Sequence, residues 1–410
     1  MLLRGAFHGE QGVTTADYQH RFSIVGNLIG AGILALPINT GLAGFIPSLL
    51  GLFVTSSAMY YSAIILSREA VGRQETNFNY PSLYQAYLGT GGKWVAVVAN
   101  LIILYGLLTA YLTGITSIIG NLFDLSIPPV WLMLAFFVVV TLISLAKVAV
   151  IQKYIAVLVA VKCVAFVVIA WMAAGHIKVQ NLSHINWPLF TCGIPILVTA
   201  FHFHNIIPAV CETLKWNQKV ISRTMLIGMT LGFLMNATWL LIGIGVLPLD
   251  NSPIGLLHAF LKNLPATIPL AQAIGSQSFL IFAMFFAMIA ITTAYLANGM
   301  GLIGFMDDLS SHHLGRTSPT VSRVLAFGPP LVIALVYPDI FLKAIDFAGG
   351  FGIVTLFGIL PSIIAIRKAR TRTEMLLGVA MLLLFGIFFA LEAAQEFGLL
   401  KLSPDAEYWK

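Results

Sequence analysis

Two hydrophobic segments of this chain carry their own interruptions, so neither is built to run as one straight membrane helix. The first reads Gly26-Asn27-Leu28-Ile29-Gly30-Ala31-Gly32-Ile33-Leu34-Ala35-Leu36-Pro37, and the second reads Thr199-Ala200-Phe201-His202-Phe203-His204-Asn205-Ile206-Ile207-Pro208. They come first and sixth in the order of hydrophobic segments. Broken helices at corresponding places in two halves of a membrane chain point to a solute site where the halves meet.

Composition places the chain in lipid. Of 410 residues, 59% are hydrophobic and only 9% charged, against about 25% charged in a soluble domain. The net charge of +6 is explained by positive residues retained on the cytoplasmic side rather than by an anionic partner. Cys163, Cys192 and Cys211 all fall in apolar segments and read as buried packing residues, not as a disulfide framework. The first twenty residues are polar and mixed, with no apolar signal core, so the first hydrophobic segment is expected to stay as a membrane helix.

The sequence is expected to form an all-α integral membrane protein with eleven spans. These run near 22–39, 45–67, 94–123, 130–146, 151–174, 188–213, 225–246, 279–305, 321–337, 349–366 and 375–391. The ninth, with Pro329 and Pro330, departs most from a regular helix pattern. The stretch 251–262 is too short and polar to span and reads as an external helix over the bundle. With the N-terminus inside, sixteen of the 22 Lys and Arg fall in cytoplasmic segments, five fall outside, and Lys162 lies within a span. That asymmetry orients the chain in the plasma or inner membrane, with a C-terminus outside. Eleven spans divide as a cytoplasmic tail (1–21), a five-helix repeat (22–174), an inverted five-helix repeat (188–366), an eleventh helix (375–391) and a C-terminal tail (392–410). An odd number of spans per repeat is what inverts the second relative to the first.

At the first break, Gly30 and Gly32 let the backbone leave helical geometry, and Pro37 removes a hydrogen bond to the Ile33 carbonyl. A half-helix beginning near Gly32 would turn free N–H groups toward an anion such as a substrate carboxylate; close packing at small residues is the structural alternative. At the second break, Pro208 is expected to free the His204 carbonyl and Pro195 that of Thr191. Carbonyls free at mid-membrane must line a cavity or meet a cation, and a substrate ammonium fits. A carboxylate site facing an ammonium site describes an amino acid. Phe201 and Phe203 are placed to pack on its side chain.

His202 and His204 stand two apart, roughly 200° from one another on a regular helix, so they would chelate a metal poorly. Neither Cys211 nor Glu212 completes a ligand spacing, and no metal is expected. A hydrogen bond across the bundle is the structural role open to His202; His204 is assigned to the pocket, either lining it or handling a proton. Lys162 lies mid-way along the fifth span, beyond easy snorkelling reach. An ammonium there is costly unless paired, and one able to release its proton can couple transport to protons; the alternative is a permanent contact with free carbonyls. Thr292 and Thr293, mid-way along the eighth span, can hold a sodium ion or hydrogen-bond to a neighbouring helix. Of Tyr105 and Tyr111 on the third span, Tyr111 is placed at the pocket. Gly299-Met300-Gly301-Leu302-Ile303-Gly304 matches G-x-G-x-x-G, but no strand precedes it, which excludes a nucleotide fingerprint.

Taken together, Gly30 to Pro37, Ala110-Tyr111-Leu112-Thr113-Gly114, Phe201 to His204, Thr293-Ala294-Tyr295-Leu296 with Gly301-Leu302, and Leu356-Phe357-Gly358-Ile359-Leu360-Pro361 resemble the hydroxy and aromatic amino acid permeases of the amino acid–polyamine–organocation superfamily. The resemblance implies the leucine-transporter (LeuT-type) fold, with five plus five inverted helices, broken helices 1 and 6, and one extra helix. It also implies proton-driven import of tyrosine, tryptophan or phenylalanine. Gly30, Ala31, Gly32 and Ile33 would take the substrate carboxylate, and Tyr111, Phe201, His202, Phe203 and His204 would line the pocket. In some sodium-independent relatives a lysine of the fifth span stands where sodium would sit between helices 1 and 8; Lys162 resembles it, with Thr292 and Thr293 opposite. The family tends to have glycine where this chain has His202 and Asn205. A sodium-coupled symporter of the same fold, using Thr292 and Thr293, and a permease for a smaller neutral amino acid are the alternatives. A membrane enzyme built on His202, His204 and Glu212 lacks a nucleophile–base arrangement, and a channel lacks a filter repeat. The expected partners are an amino acid and the lipid bilayer, with no nucleic acid and no cofactor beyond the coupling ion.

Overall fold

The computed structural model describes residues 24–400, apart from 27, 76–78, 124–126, 147 and 315–318; for 31, 121–123, 148–150, 152–153 and 311–314 it describes the backbone alone. The tail 1–21, the start of the first span and residues 401–410 lie outside the described residues, as does Lys147.

Helices α1 (Ala31–Gly41), α2 (Phe45–Arg73), α3 (Tyr80–Phe123), α4 (Pro129–Ser144) and α5 (Val148–Ala174) make up the first half. The second half holds the short helices α6 (Ile194–Thr199) and α7 (Ile207–Thr213), then α8 (Gln218–Val246). It continues through α9 (Leu256–Leu261), α10 (Thr267–Ile274), α11 (Gln277–Leu314) and α12 (Pro319–Val336). Helix α13 (Phe341–Phe347) leads through a π-helical stretch, Ala348–Ile359, into α14 (Leu360–Lys368), and α15 (Arg372–Glu396) follows. No strand occurs among the described residues.

Nine helical segments among the described residues are long and apolar enough to cross a membrane. Two of the eleven expected spans are not among them. Helix α4 is apolar but only 16 residues long, and the first segment is divided, with helical residues at 24–26 and 28 ahead of α1. Other bounds also differ from expectation. Helix α3 begins well before residue 94 and kinks at Gly89, whose φ of 69° breaks the helical run. The ninth segment stays helical through Pro329 and Pro330. Within 251–262 only α9 is helical, and its Leu256 and Leu257 are buried rather than external; Leu256 lies close to Gly41 at the end of α1.

Small residues let the first segment lie directly on α8: a Cβ at Gly228, Gly232 or Gly243 would meet Ile24, Leu28 or Pro37 in turn. The numbers rise together, so these two segments run parallel. A Cβ at Gly32 would meet Thr199, and one at Gly193 would meet Thr40. Here the numbers run in opposite directions, so the two broken segments lie antiparallel with their breaks side by side. Around this centre the outer faces stay apolar, with Phe53, Leu142, Val164, Trp171 and Leu383 all more than half exposed, which suits acyl chains rather than water.

Candidate functional site

The first break lies at Ile29–Gly30. Gly30 is extended, with φ −83° and ψ −160°, and α1 begins at the next residue. No side chain caps that helix start, whose early N–H groups have no intrahelical acceptor. Gly30 and Gly32 are half-buried, and Ile33 is buried; the Ala31 side chain lies outside the described set. The Ile33 N–H donates to the Gly30 carbonyl at 3.3 Å, which tightens the first turn.

The second break spans Ala200 to Phe203, between the end of α6 and a 3₁₀ turn at His204–Ile206. Phe201, His202, Phe203 and His204 are all buried. The prolines act differently from the sequence expectation. Pro195 and Pro208 each occupy the first turn of a half-helix, where a missing N–H breaks nothing. The Thr191 carbonyl accepts from the Ile194 N–H. The His204 carbonyl accepts from the Ile207 N–H and the Tyr80 hydroxyl. The acceptors left open are instead inside the break, since no backbone N–H among the described residues donates to the Phe201 or His202 carbonyl.

The histidines do not point apart. Because the backbone between them is not helical, their rings stack with an interplanar angle of 5° and centroids 6.4 Å apart. Phe357 of the π-helical stretch lies against both, at 5.2 Å from His202 and 4.8 Å from His204, and Tyr80 meets Phe357 edge-on. His204 Nε2 lies 3.2 Å from the Met59 carbonyl. His202 makes no bond across the bundle; its Nε2 is buried without a partner among the described residues. Asn205 is exposed in the 3₁₀ turn.

Lys162 is fully buried in α5. Its Nζ donates to the Gly26 carbonyl at 3.0 Å and to Thr293 Oγ1 at 3.2 Å, which links the first segment, α5 and α11. Thr293 Oγ1 in turn donates within its own helix, to the Ile289 carbonyl at 2.8 Å. Thr292 is half-buried, and its hydroxyl is not among the partners of Lys162. No carboxylate pairs with Lys162 among the described residues. An ammonium held only by neutral oxygens in a dry core is costly.

Tyr111 is buried in α3, and its hydroxyl accepts from Asn298 Nδ2 of α11 at 3.2 Å. This bond joins it to α11 rather than to either break. Tyr105 donates to the Leu325 carbonyl in α12. Two asparagines escape sequence reasoning. Asn298 is one, and the other is Asn236, buried in α8, whose Nδ2 points at the Ala200 carbonyl at 3.5 Å. A lone amide in an apolar span is the signal that marks each.

A cleft of about 290 Å³ is lined by Tyr61, Arg68, Glu69, Lys368 and Glu374, and another of about 260 Å³ by Ile268, Gln272 and Ser276; neither includes a break residue. No group of three His, Cys, Asp or Glu fit to hold a metal occurs among the described residues.

Comparison with known proteins places the chain in a family. Residues 19–391 match the tryptophan/tyrosine permease family model. The chain is 30% identical to tyrosine-specific transport system 1 of Haemophilus influenzae, over 80% of this chain and 82% of that protein. It is 24% identical to the tryptophan-specific transport protein of Shigella flexneri, over 85% and 86%. It is 26% identical to the low affinity tryptophan permease of Proteus vulgaris, over 86% of each. A chain with these apolar helices and these relatives is a multi-pass membrane transporter and not an enzyme; it belongs to the tryptophan/tyrosine permease family.

Proposed function

We propose that this chain imports an aromatic amino acid (tyrosine, tryptophan or phenylalanine) by proton symport, with the substrate held between the two breaks. The observation that carries the proposal is Lys162. Its ammonium holds the Gly26 carbonyl and the Thr293 hydroxyl, two oxygens that a sodium ion at this place would need. A lysine that gives up its proton here keeps two N–H donors but loses the charge that strengthens both contacts, and so loosens the first segment from α11 in the same step.

The half-helix start at Ala31 offers N–H groups to the substrate carboxylate. The open carbonyls of Phe201 and His202 suit its ammonium. Phe203, His202, His204 and Phe357 supply aromatic surface, in keeping with relatives named for tyrosine and tryptophan. The antiparallel broken segments support an inverted five-plus-five arrangement in which the first segment and α4 also cross the membrane, giving eleven spans. The distribution of Lys and Arg supports an N-terminus in the cytoplasm.

The test is uptake of radiolabelled tyrosine and tryptophan into proteoliposomes, with proton and sodium gradients imposed separately. Accumulation driven by protons alone is expected. A strict need for sodium would transfer the coupling role to Thr292 and Thr293, and accumulation of only small neutral amino acids would overturn the aromatic assignment.

A further inference from the structure

A second polar connection, remote from Lys162, joins the far end of α1 to α13. Asn39 is fully buried, and its Nδ2 reaches both carboxylate oxygens of Asp346, at 3.1 and 2.9 Å. Asn39 Oδ1, on the same amide, is buried with no hydrogen-bond partner among the described residues. Leaving a buried amide oxygen unpaired is costly. A side-chain amide presents a donor and an acceptor side by side, whereas an ionised carboxylate offers acceptors only. A carboxylic acid offers both. With a proton on Asp346, the Asn39 N–H donates to one oxygen of the acid, and the hydroxyl of the acid donates to Asn39 Oδ1. Turning the amide over gives the same answer, because Oδ1 against the carboxyl is repulsive unless a proton lies between them.

The ionisable groups around Asp346 are mostly acidic. Glu392 of α15 is buried close by, with its side chain over Gly350, one turn along from Asp346. The exposed Glu396 of the same helix adds negative charge, and the buried Cys192 thiol, in the turn before α6, lies within electrostatic range of both acids. Lys343, on the same helix as Asp346, is the one cation in range among the described residues, and it is exposed. Asp346 itself keeps partial exposure, at a face that also carries the exposed charges of Lys343 and Glu396.

We infer that Asn39 and Asp346 form a proton-binding site that fastens the far end of the first broken segment to α13, with Glu392 as the neighbouring acid. The proton arrives from water at that face. It leaves to water again, and the carboxylate left behind holds Asn39 by its N–H groups alone. This site is separate from Lys162 and stands whether or not the lysine couples transport.

Infrared difference spectroscopy of the full-length protein in lipid, titrated across pH without substrate, tests it. Wild-type protein is expected to show the carbonyl stretch of a protonated carboxylic acid, lost as the pH is raised. Asp346→Asn should abolish that band. Glu392→Gln should retain it, and Asn39→Leu should retain it at a shifted frequency, because the acid hydroxyl loses its amide acceptor. If Asp346→Asn does not fold, the Asn39→Leu frequency decides alone, and an unshifted band overturns the inference. A band that survives in folded Asp346→Asn, or no titrating band in the wild type, also overturns it. The signal requires neither substrate nor gradient, so its failure is distinct from a failure of the transport reading.

Discussion

Gly32 and Thr199 stand against each other where the two broken segments cross: a Cβ added to Gly32 would lie 3.4 Å from Thr199 Cγ2. That separation is ordinary contact for a methyl group and leaves no room for a branched side chain. Gly32→Ala is therefore expected to fold and transport. Gly32→Leu should overpack the crossing at a cost of about 1–3 kcal/mol and lose most uptake. Uptake by the two variants, normalised to the amount in the membrane, checks this; wild-type uptake by Gly32→Leu would contradict a tight crossing.

Phe203 is fully buried in the unwound segment and packs on His204 with ring centroids 5.0 Å apart. If it contributes to an aromatic side-chain pocket, Phe203→Leu should weaken competition by tyrosine and tryptophan roughly tenfold, about 1.4 kcal/mol. Competition by alanine-sized solutes should change little. Equal losses for both classes would remove Phe203 from the pocket.

Gly44 adopts φ +93°, and a Cβ there would collide with the His184 carbonyl oxygen. Neither the strain nor the clash is relieved by rotating a side chain. Gly44→Ala should lower stability by about 1–3 kcal/mol or more. Gly72 lies in the last turn of α2, and a methyl group added there would meet nothing within 4 Å. It is the control, and Gly72→Ala should be neutral or slightly stabilising. Thermal unfolding of the purified variants measures both, and matching midpoints would contradict the role given to Gly44.

Much of the centre is legible in the sequence. Gly30 marks the first break because glycine leaves helical geometry without steric cost, while Gly32 lies inside α1 against Thr199; Lys162 stands out because an ammonium in an apolar span needs a partner. The prolines mislead, because Pro195 and Pro208 start half-helices as readily as they end them. The histidine pair misleads because the angle between them follows from a regular helix, and the backbone there is unwound. Phe357 gives no sign of its place between them and Tyr80, since π-helical winding of Ala348–Ile359 follows from packing rather than from local residue type. Asn39 and Asp346 lie 307 positions apart, and only the folded chain brings them together.

Lys162 is the group whose proton is expected to move with substrate. The most direct test is substrate-driven proton flux into proteoliposomes, read with an internal pH indicator, for wild type and Lys162→Ala, together with substrate binding to each. Wild type should acidify the interior when an aromatic amino acid is added outside. Lys162→Ala should still bind substrate in part, yet show neither proton entry nor accumulation against a gradient. Full pH-dependent accumulation with proton entry in Lys162→Ala would contradict proton coupling through this lysine.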